Sequence, residues 1–363
     1  MAKYNVYHRK DGRWEGRISR GKRDNGKRKY QYIFGRTKNE VLKKIDIIIE
    51  NEQHYKCQKT FNLLFKEWSN SIKHRIKEST FANYLMKANK HILPYFREKN
   101  IDQLNSREIN CFIQEKLNDG LSNRYVSDIV ILMKTIFKYA VQNYHIVNPM
   151  DNIVLPQKKT NEITLLDEAE QKRLQDYICK HHNLATLGTA LSLTTGIHIG
   201  ELCALQWSDI DLKKRILTVR KTMQRIQYTN GTSKTKLIIT DPKSESSKRR
   251  IPIPDCMMGF LSEFKGDDET YVLTCSSKPV EPRTMQYRFK RILKNANLPS
   301  IHFHALRHCF ASFCIVLGFD VKALSELLGH SSVEITLNRY VHSSFEQKRA
   351  YMNRIKMSLF AKD

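Results

Sequence analysis

The sequence predicts an α+β chain that is mainly α, in three parts. A small three-stranded sheet plus helix comes first, a helical domain second, and a mixed helical domain with a β-hairpin sheet third. Three observations predict it. Residues 1–53 alternate apolar and polar positions between turn signals. Residues 61–152 keep a helical period. Beyond residue 163 the helical pattern is broken by a β-rich stretch from Asp209 to Pro254. The polar stretch 54–60 and the run Leu155-Pro156-Gln157-Lys158-Lys159-Thr160, just after Asn148-Pro149, read as linkers. The expected domains are therefore 1–53, 61–152 and 163–363.

Asn5–Arg9, Trp14–Arg20 and Lys29–Phe34 read as strands, with turns at Asp11-Gly12 and Asp24-Asn25-Gly26. Thr37-Lys-Asn-Glu40 fits a capping box and opens a helix through Val41, Leu42 and Ile45. In the second domain, Phe61, Leu64, Phe65, Trp68 and Ile72 share a helical face. Phe81, Tyr84, Leu85 and Ala88 mark another helix, expected to break at Pro94. Ile109, Phe112, Ile113 and Leu117 mark a third helix, ended by Asp119-Gly120, and Tyr125 to Tyr144 a long fourth. In the third domain, Asp167-Glu-Ala-Glu170 starts a helix, Ala185–Thr194 is an apolar helix stopped at Gly196, and Gly200-Glu201-Leu202 opens another. Ile216–Val219, Leu237–Thr240 and Arg250–Pro254 read as strands around a hairpin signal at Thr229-Asn230-Gly231, with a polar loop at Pro242–Lys248. After Arg283 the chain is expected to be helical to its end.

Charge narrows the function. The chain has 363 residues, with 62 Lys and Arg against 37 Asp and Glu, for a formal net charge of +25. Such an excess argues for a polyanionic partner, nucleic acid first and an anionic membrane second. No apolar run approaches the ~20 residues of a membrane span. The N-terminus lacks an apolar signal core, so a cytoplasmic protein is expected. The 8 cysteines are scattered without a Cys-x-x-Cys pair, which argues against a disulfide framework or a zinc ribbon. Basic residues crowd the first domain: Arg13, Arg17, Arg20, Lys22, Arg23, Lys27, Arg28 and Lys29, interleaved with aromatic residues. A sheet with such a face can enter a DNA major groove.

Chemistry concentrates between His304 and Tyr340. His304-Ala-Leu-Arg307-His308 places a histidine and an arginine on one helical face, and His330 and Tyr340 follow. The set offers a cation, proton carriers and a nucleophile. Tyrosine ionises near pKa 10, so its attack on a phosphodiester needs a cation or base close by. An arginine fork suits the charge that builds on the phosphate oxygens. The i, i+4 pair His304 and His308 has zinc-helix spacing, but the glutamate of the metalloprotease pattern is Ala305 here, and Cys309 and Cys314 read as core residues. No acidic cluster points to a two-metal site, so no cofactor is expected.

These motifs resemble the tyrosine recombinases, in particular the integrases of conjugative transposons and temperate phages. The resemblance rests on His304-Ala-Leu-Arg307-His308, on Leu328-Gly329-His330-Ser331-Ser332 and on Tyr340. Thr194-Thr195-Gly196-Ile197-His198-Ile199-Gly200-Glu201-Leu202 and Pro242-Lys243-Ser244 before Lys248-Arg249-Arg250-Ile251-Pro252 support it. It covers essentially the whole chain. It implies an arm-site DNA-binding domain at 1–53, a core-binding domain at 61–152 and a catalytic domain at 163–363. It implies that Tyr340 forms a 3′-phosphotyrosyl link, that Arg307 clamps the phosphate and that Lys243 protonates the leaving 5′ oxygen. His304 would serve acid–base transfer, and His330 would bond the phosphate or orient the nucleophile. Tyr351 rivals Tyr340, and Lys236 and Lys248 rival Lys243. Double-stranded DNA at arm and core sites, a homotetramer on that DNA, an excisionase and a DNA-bending host protein are the implied partners. A bacterial, nucleoid-associated location is implied as well. Strand exchange would run through a Holliday junction.

One position departs from the pattern: His198 stands where the family carries a second catalytic arginine. Histidine lacks the guanidinium fork and is mostly neutral near pH 7. A nearby phosphate would favour its charged form. The expectation is DNA binding with slowed cleavage; the leading alternative is a recombinase-fold protein that binds without cutting. A type IB topoisomerase shares the nucleophile chemistry, but the basic N-terminal sheet favours site-specific binding. The segment Phe345 to Phe360 is amphipathic and is implied to dock on a neighbouring subunit.

Overall fold

The computed structural model describes residues 4–22, 28–54, 59–157, 165–227, 234–242, 245–340, 349 and 352–353. Contacts divide the chain into two compact units, Met1–Thr160 and Asn161–Asp363.

The first unit opens with strands Tyr4–His8, Trp14–Lys22 and Arg28–Gly35 in one antiparallel sheet, followed by the helix Lys38–His54. Gly12 makes the first turn at φ +81°. The turn signal at Asp24-Asn25-Gly26 lies outside the described residues. The Glu40 N–H donates to Thr37 Oγ1, and the Glu40 carboxylate accepts backbone N–H groups from Arg36 and Thr37. Alternation sorts the middle strand into two faces. Gly16 and Ile18 turn toward the helix, where Ile18, Ile33, Val41 and Ile45 form a small core. A Cβ at Gly16 would stand 2.6 Å from Ile45 Cδ1, so glycine lets helix and sheet close. Glu15 and Arg17 turn the other way, with Tyr7, Tyr32 and Phe34.

The rest of this unit is a helical bundle with its own core of Phe61, Phe96, Phe112, Phe137 and aliphatic neighbours. Thr60, Asn105 and Ser122 accept backbone N–H groups at the starts of Phe61–Ile72, Ser106–Asn118 and Asn123–Tyr144; such caps contribute about 1 kcal/mol each. The expected break at Pro94 is not a break. Helix Glu78–Lys87 passes through a π-turn, Ala88–Ile92, into Leu93–Phe96. The widened turn takes up a ring that a regular helix interior would reject.

The second unit is helical around small sheets. The capping box at Asp167 and Glu170 starts Glu168–Lys180. Leu184–Thr195 ends at Gly196, which is left-handed at φ +63°. Strands Ile210–Asp211, Ile216–Val219 and Arg249–Pro252 form one sheet, and Thr222–Gln227 pairs with Thr235–Thr240 in a hairpin. The hairpin signal Thr229-Asn230-Gly231 falls between those two strands, outside the described residues. Thr222–Gln227 escaped the sequence reading because its buried residues, Met223 and Ile226, are three apart rather than two. Helices Pro282–Asn295, Ala305–Val316, Val321–Leu328 and Val333–Tyr340 follow. A core running from Leu166 to Cys309, with Trp207 fully buried in it, packs against the first two of these helices, and a smaller cluster of Phe310, Ala311, Cys314, Leu324 and Leu328 joins the last three. Among the described residues, no helix is long and apolar enough to cross a membrane.

Candidate active site

Arg307 lies in the first turn of Ala305–Val316 and is 3% exposed. Its Nη1 donates to the Gly196 carbonyl at 2.8 Å and its Nη2 to the Leu328 carbonyl at 2.7 Å. One guanidinium thus fastens the turn that leads to His198 to the turn that leads to His330. Both turns reach left-handed conformations through glycine, Gly196 and Gly329. A Cβ at Gly196 would stand 2.5 Å from Phe310 Cδ1, so the position has neither the backbone freedom nor the space for another residue.

His198 precedes the short helix Ile199–Cys203, and its N–H donates to Glu201 Oε2 at 3.1 Å. Glu201 is itself buried and receives Arg249 Nη1 at 3.1 Å and Nη2 at 2.8 Å. Arg249 Nε in turn donates to the Leu327 carbonyl at 2.7 Å. Glu201 therefore buttresses the backbone at 198 through a strand arginine that grips the end of Val321–Leu328.

Aromatic rings continue from this frame to the tyrosine. The His198 ring stacks on His304, with centroids 5.3 Å apart and planes 8° apart. His304 meets His308 edge-on at 4.7 Å. His308 Nδ1 lies 2.7 Å from Tyr340 Oη. Tyr340 packs against the cluster of Phe310, Ala311, Cys314, Leu324 and Leu328. His330 Nδ1 contacts Thr336 Oγ1 at 2.8 Å. Burial first, and then the Arg307 guanidinium, push the His198 pKa down to about 2, with His304, Arg249 and His330 adding to it. The imidazole is neutral at pH 7, as the residue type suggests, and the shift makes the charged form that a phosphate would favour harder to reach.

The structure thus brings together Tyr340, Arg307, His304 and His198, with His330 close enough to act on His198. Lys243 lies outside the described residues, between the hairpin strand ending at Thr240 and the 3₁₀ turn Glu245–Ser247. Sequence reasoning missed His308, which it weighed only as a zinc ligand. Its one signal was a histidine a helical turn beyond His304. Cys309 and Cys314 are buried, and burial pushes both thiols up, Cys314 to about 11.

The basic sheet has a more structured face than its charge count implied. Buried Glu15 accepts Arg17 Nε at 2.6 Å and Arg9 Nη1 at 2.5 Å, and Arg17 then Arg9 hold its carboxyl below the usual range. The Arg17 guanidinium lies over the rings of Tyr7 and Tyr32, at 5.2 and 5.4 Å. Arg13 donates to Asp11 at 2.8 Å. Arg28 is exposed. Arg20, Lys22 and Lys29 lie on the described strands, but their side chains, and the whole of Arg23 and Lys27, fall outside what the structure describes.

A helical unit followed by a mixed domain, with an arginine and imidazoles gathered on one tyrosine, defines a tyrosine recombinase. The chain belongs to the phage integrase family, whose members cleave and rejoin DNA: residues 160–347 match that family and residues 60–117 the N-terminal SAM-like domain of phage integrases. It is 29% identical to a XerC-like tyrosine recombinase of Caldanaerobacter subterraneus, over 91% of this chain and 92% of the relative. It is 28% identical to the ICEBs1 integrase of Bacillus subtilis, over 73% of this chain and 74% of that one. Among solved structures it resembles the Tn1549 transposon integrase in complex with a circular intermediate DNA, at 25% identity and TM-score 0.66 over 80% of this chain and 99% of that chain. A lambda integrase dimer bound to a core site shares the fold, at 19% identity and TM-score 0.60 over 93% and 94%.

Proposed function

We propose that the chain integrates and excises a mobile element at specific DNA sites, with Tyr340 as the covalent nucleophile. Arg307 clamps the scissile phosphate, and His304 and His330 complete the pocket around it. Lys243 protonates the leaving 5′ oxygen. The observation that carries this reading is the convergence of Arg307, the imidazoles of His198, His304 and His308, and Tyr340 Oη in one place. Residues 1–53 act as the arm-site domain through the Arg17–Tyr7–Tyr32 face, 61–152 as the core-binding domain and 163–363 as the catalytic domain. The test is a suicide DNA substrate: wild type accumulates a covalent adduct, and Tyr340→Phe accumulates none. Equal trapping by both refutes the assignment.

On DNA the active species is a homotetramer working through a Holliday junction, and a lambda integrase tetramer bound to such a junction shares this chain's fold. An apolar pocket of about 450 Å³, lined in part by Ile178, Leu193, Met257, Phe310, Phe313 and Leu317, suits the apolar face of a neighbour's Phe345–Phe360 segment. Truncation at Phe345 then leaves single-site binding intact and weakens assembly on paired sites; unchanged synapsis in gel shifts counts against it. An excisionase sets direction, and a DNA-bending host protein brings arm and core sites together. A second reading, DNA binding without cleavage, is favoured by one observation, the neutral imidazole at 198.

A further inference from the structure

We infer that His308 is a catalytic residue of strand cleavage: it takes the proton of Tyr340 as the phenol attacks. The inference rests on the assignment of Tyr340 as nucleophile. A phenol with a pKa near 10 is ionised in about one molecule in a thousand at pH 7, so the attacking oxygen must lose its proton during the step. His308 Nδ1 lies on that oxygen, at 2.7 Å. That distance is within the reach of a general base. His308 is 2% exposed and sits on the helix that carries Arg307. The residue that takes the proton and the residue assigned to the phosphate are thus neighbours in the chain, fixed by one backbone. His304, the histidine that the motif marks for acid–base work, meets the edge of His308, and His308 bears the bond to Tyr340. His304 thus touches the residue that holds the nucleophile.

The step balances. The Tyr340 Oη–H proton passes to His308 Nδ1, and the oxygen's electron pair forms the Oη–P bond. The P–O5′ bond breaks with its pair on O5′, which takes a proton from the general acid assigned to Lys243. Rejoining reverses each transfer, so the His308 imidazolium returns its proton to Oη. For Nδ1 to accept, the ring must carry its other proton on Nε2 in the resting state.

The test uses core-site DNA with sulfur in place of the scissile 5′ oxygen. The thiolate leaves without a proton and does not rejoin, so the trapping rate reports nucleophile activation alone. His308→Asn keeps a polar atom near Nδ1 but carries no proton away. It is expected to bind the site like wild type and to trap covalent DNA about 100-fold more slowly or worse, the usual contribution of a general base. Placing a fluorinated, more acidic tyrosine at position 340 is expected to speed His308→Asn far more than wild type, because a phenol that yields its proton more readily needs less help from a base. If His308→Asn does not fold, as read by melting and site binding, His308→Gln carries the same pair of measurements. A wild-type trapping rate in the folded variant overturns the inference. So does a slowed rate that fluorotyrosine does not narrow, since a packing role for His308 would not respond to phenol acidity. Tyr340→Phe separates the two claims. If it still traps DNA, the nucleophile assignment falls; if it is inert while His308→Asn is fast, only the role of His308 falls.

Discussion

Replacing His198 with arginine is expected to accelerate covalent cleavage about 100- to 1,000-fold. The half-buried imidazole has its pKa pushed down to about 2 by desolvation and by the Arg307 guanidinium. Charging it at pH 7 therefore costs on the order of several kcal/mol. A single phosphodiester must supply all of that before position 198 carries a cation. Wild-type His198 therefore meets the phosphate with at most one neutral N–H. Arginine brings a permanent charge and several donors in a planar fork. The loss of one donor aimed at transition-state charge typically costs about 2.7–4 kcal/mol, or roughly 100- to 1,000-fold in rate. The backbone at 198 is held from below by Glu201, so the longer side chain projects from a fixed base. The assay is single-turnover trapping on a suicide substrate, with core-site binding measured alongside. Equal trapping rates for wild type and His198→Arg, at equal occupancy, refute the reasoning.

Glu201→Gln leaves the buried Arg249 guanidinium facing a neutral amide in place of its carboxylate. Breaking such a pair from one side costs about 3–5 kcal/mol, so a fall in melting temperature of roughly 6–20 °C is expected; a shift within about 2 °C contradicts the buttress role. Gly196→Ala combines a left-handed backbone with a Cβ 2.5 Å from Phe310. It is expected to cost about 1–2 kcal/mol in backbone strain alone and to slow trapping as Arg307 loses its carbonyl anchor, whereas unchanged melting and trapping contradict it. The depressed His198 pKa also sets a pH dependence. The unfolded chain takes a proton near pH 6.5 that the folded chain refuses until about pH 2, so this residue's stabilising term is present above pH 6.5 and is lost as pH falls. On the order of 1 kcal/mol is lost by pH 5.5. His198→Gln should lose less stability than wild type between pH 7 and 5.5 in melting curves, and parallel curves argue against a buried neutral imidazole.

Much of the fold was legible because periodicity survives burial. The strand Ile216–Val219 and the helix that ends at Gly196 stand where a short β-prone run and a glycine stop placed them. Pro94 misled because proline reports a missing N–H but not a neighbouring turn that can widen around it. The site was legible as motifs and not as contacts. His304 and Arg307 share a face by spacing and Tyr340 could be picked by resemblance to the family, yet nothing in the sequence says that His308 holds Tyr340 Oη or that Arg307 spans two distant carbonyls. The neutrality of His198 was legible from residue type, but not how firmly its surroundings hold it. Residue type alone gives an imidazole of ordinary pKa, whereas burial and Arg307 push that pKa down. In the basic sheet, counting charges missed Glu15, which lies beneath Arg9 and Arg17 and sets where those guanidinium groups point.

The most direct measurement is the identity of the residue joined to DNA. The covalent species formed on a suicide substrate, by wild type and by His198→Arg, is digested and its DNA-bearing peptide sequenced by mass spectrometry. A single adduct on Tyr340 is expected, in greater yield from His198→Arg. An adduct on Tyr351, or none from either protein at saturating core-site occupancy, contradicts it.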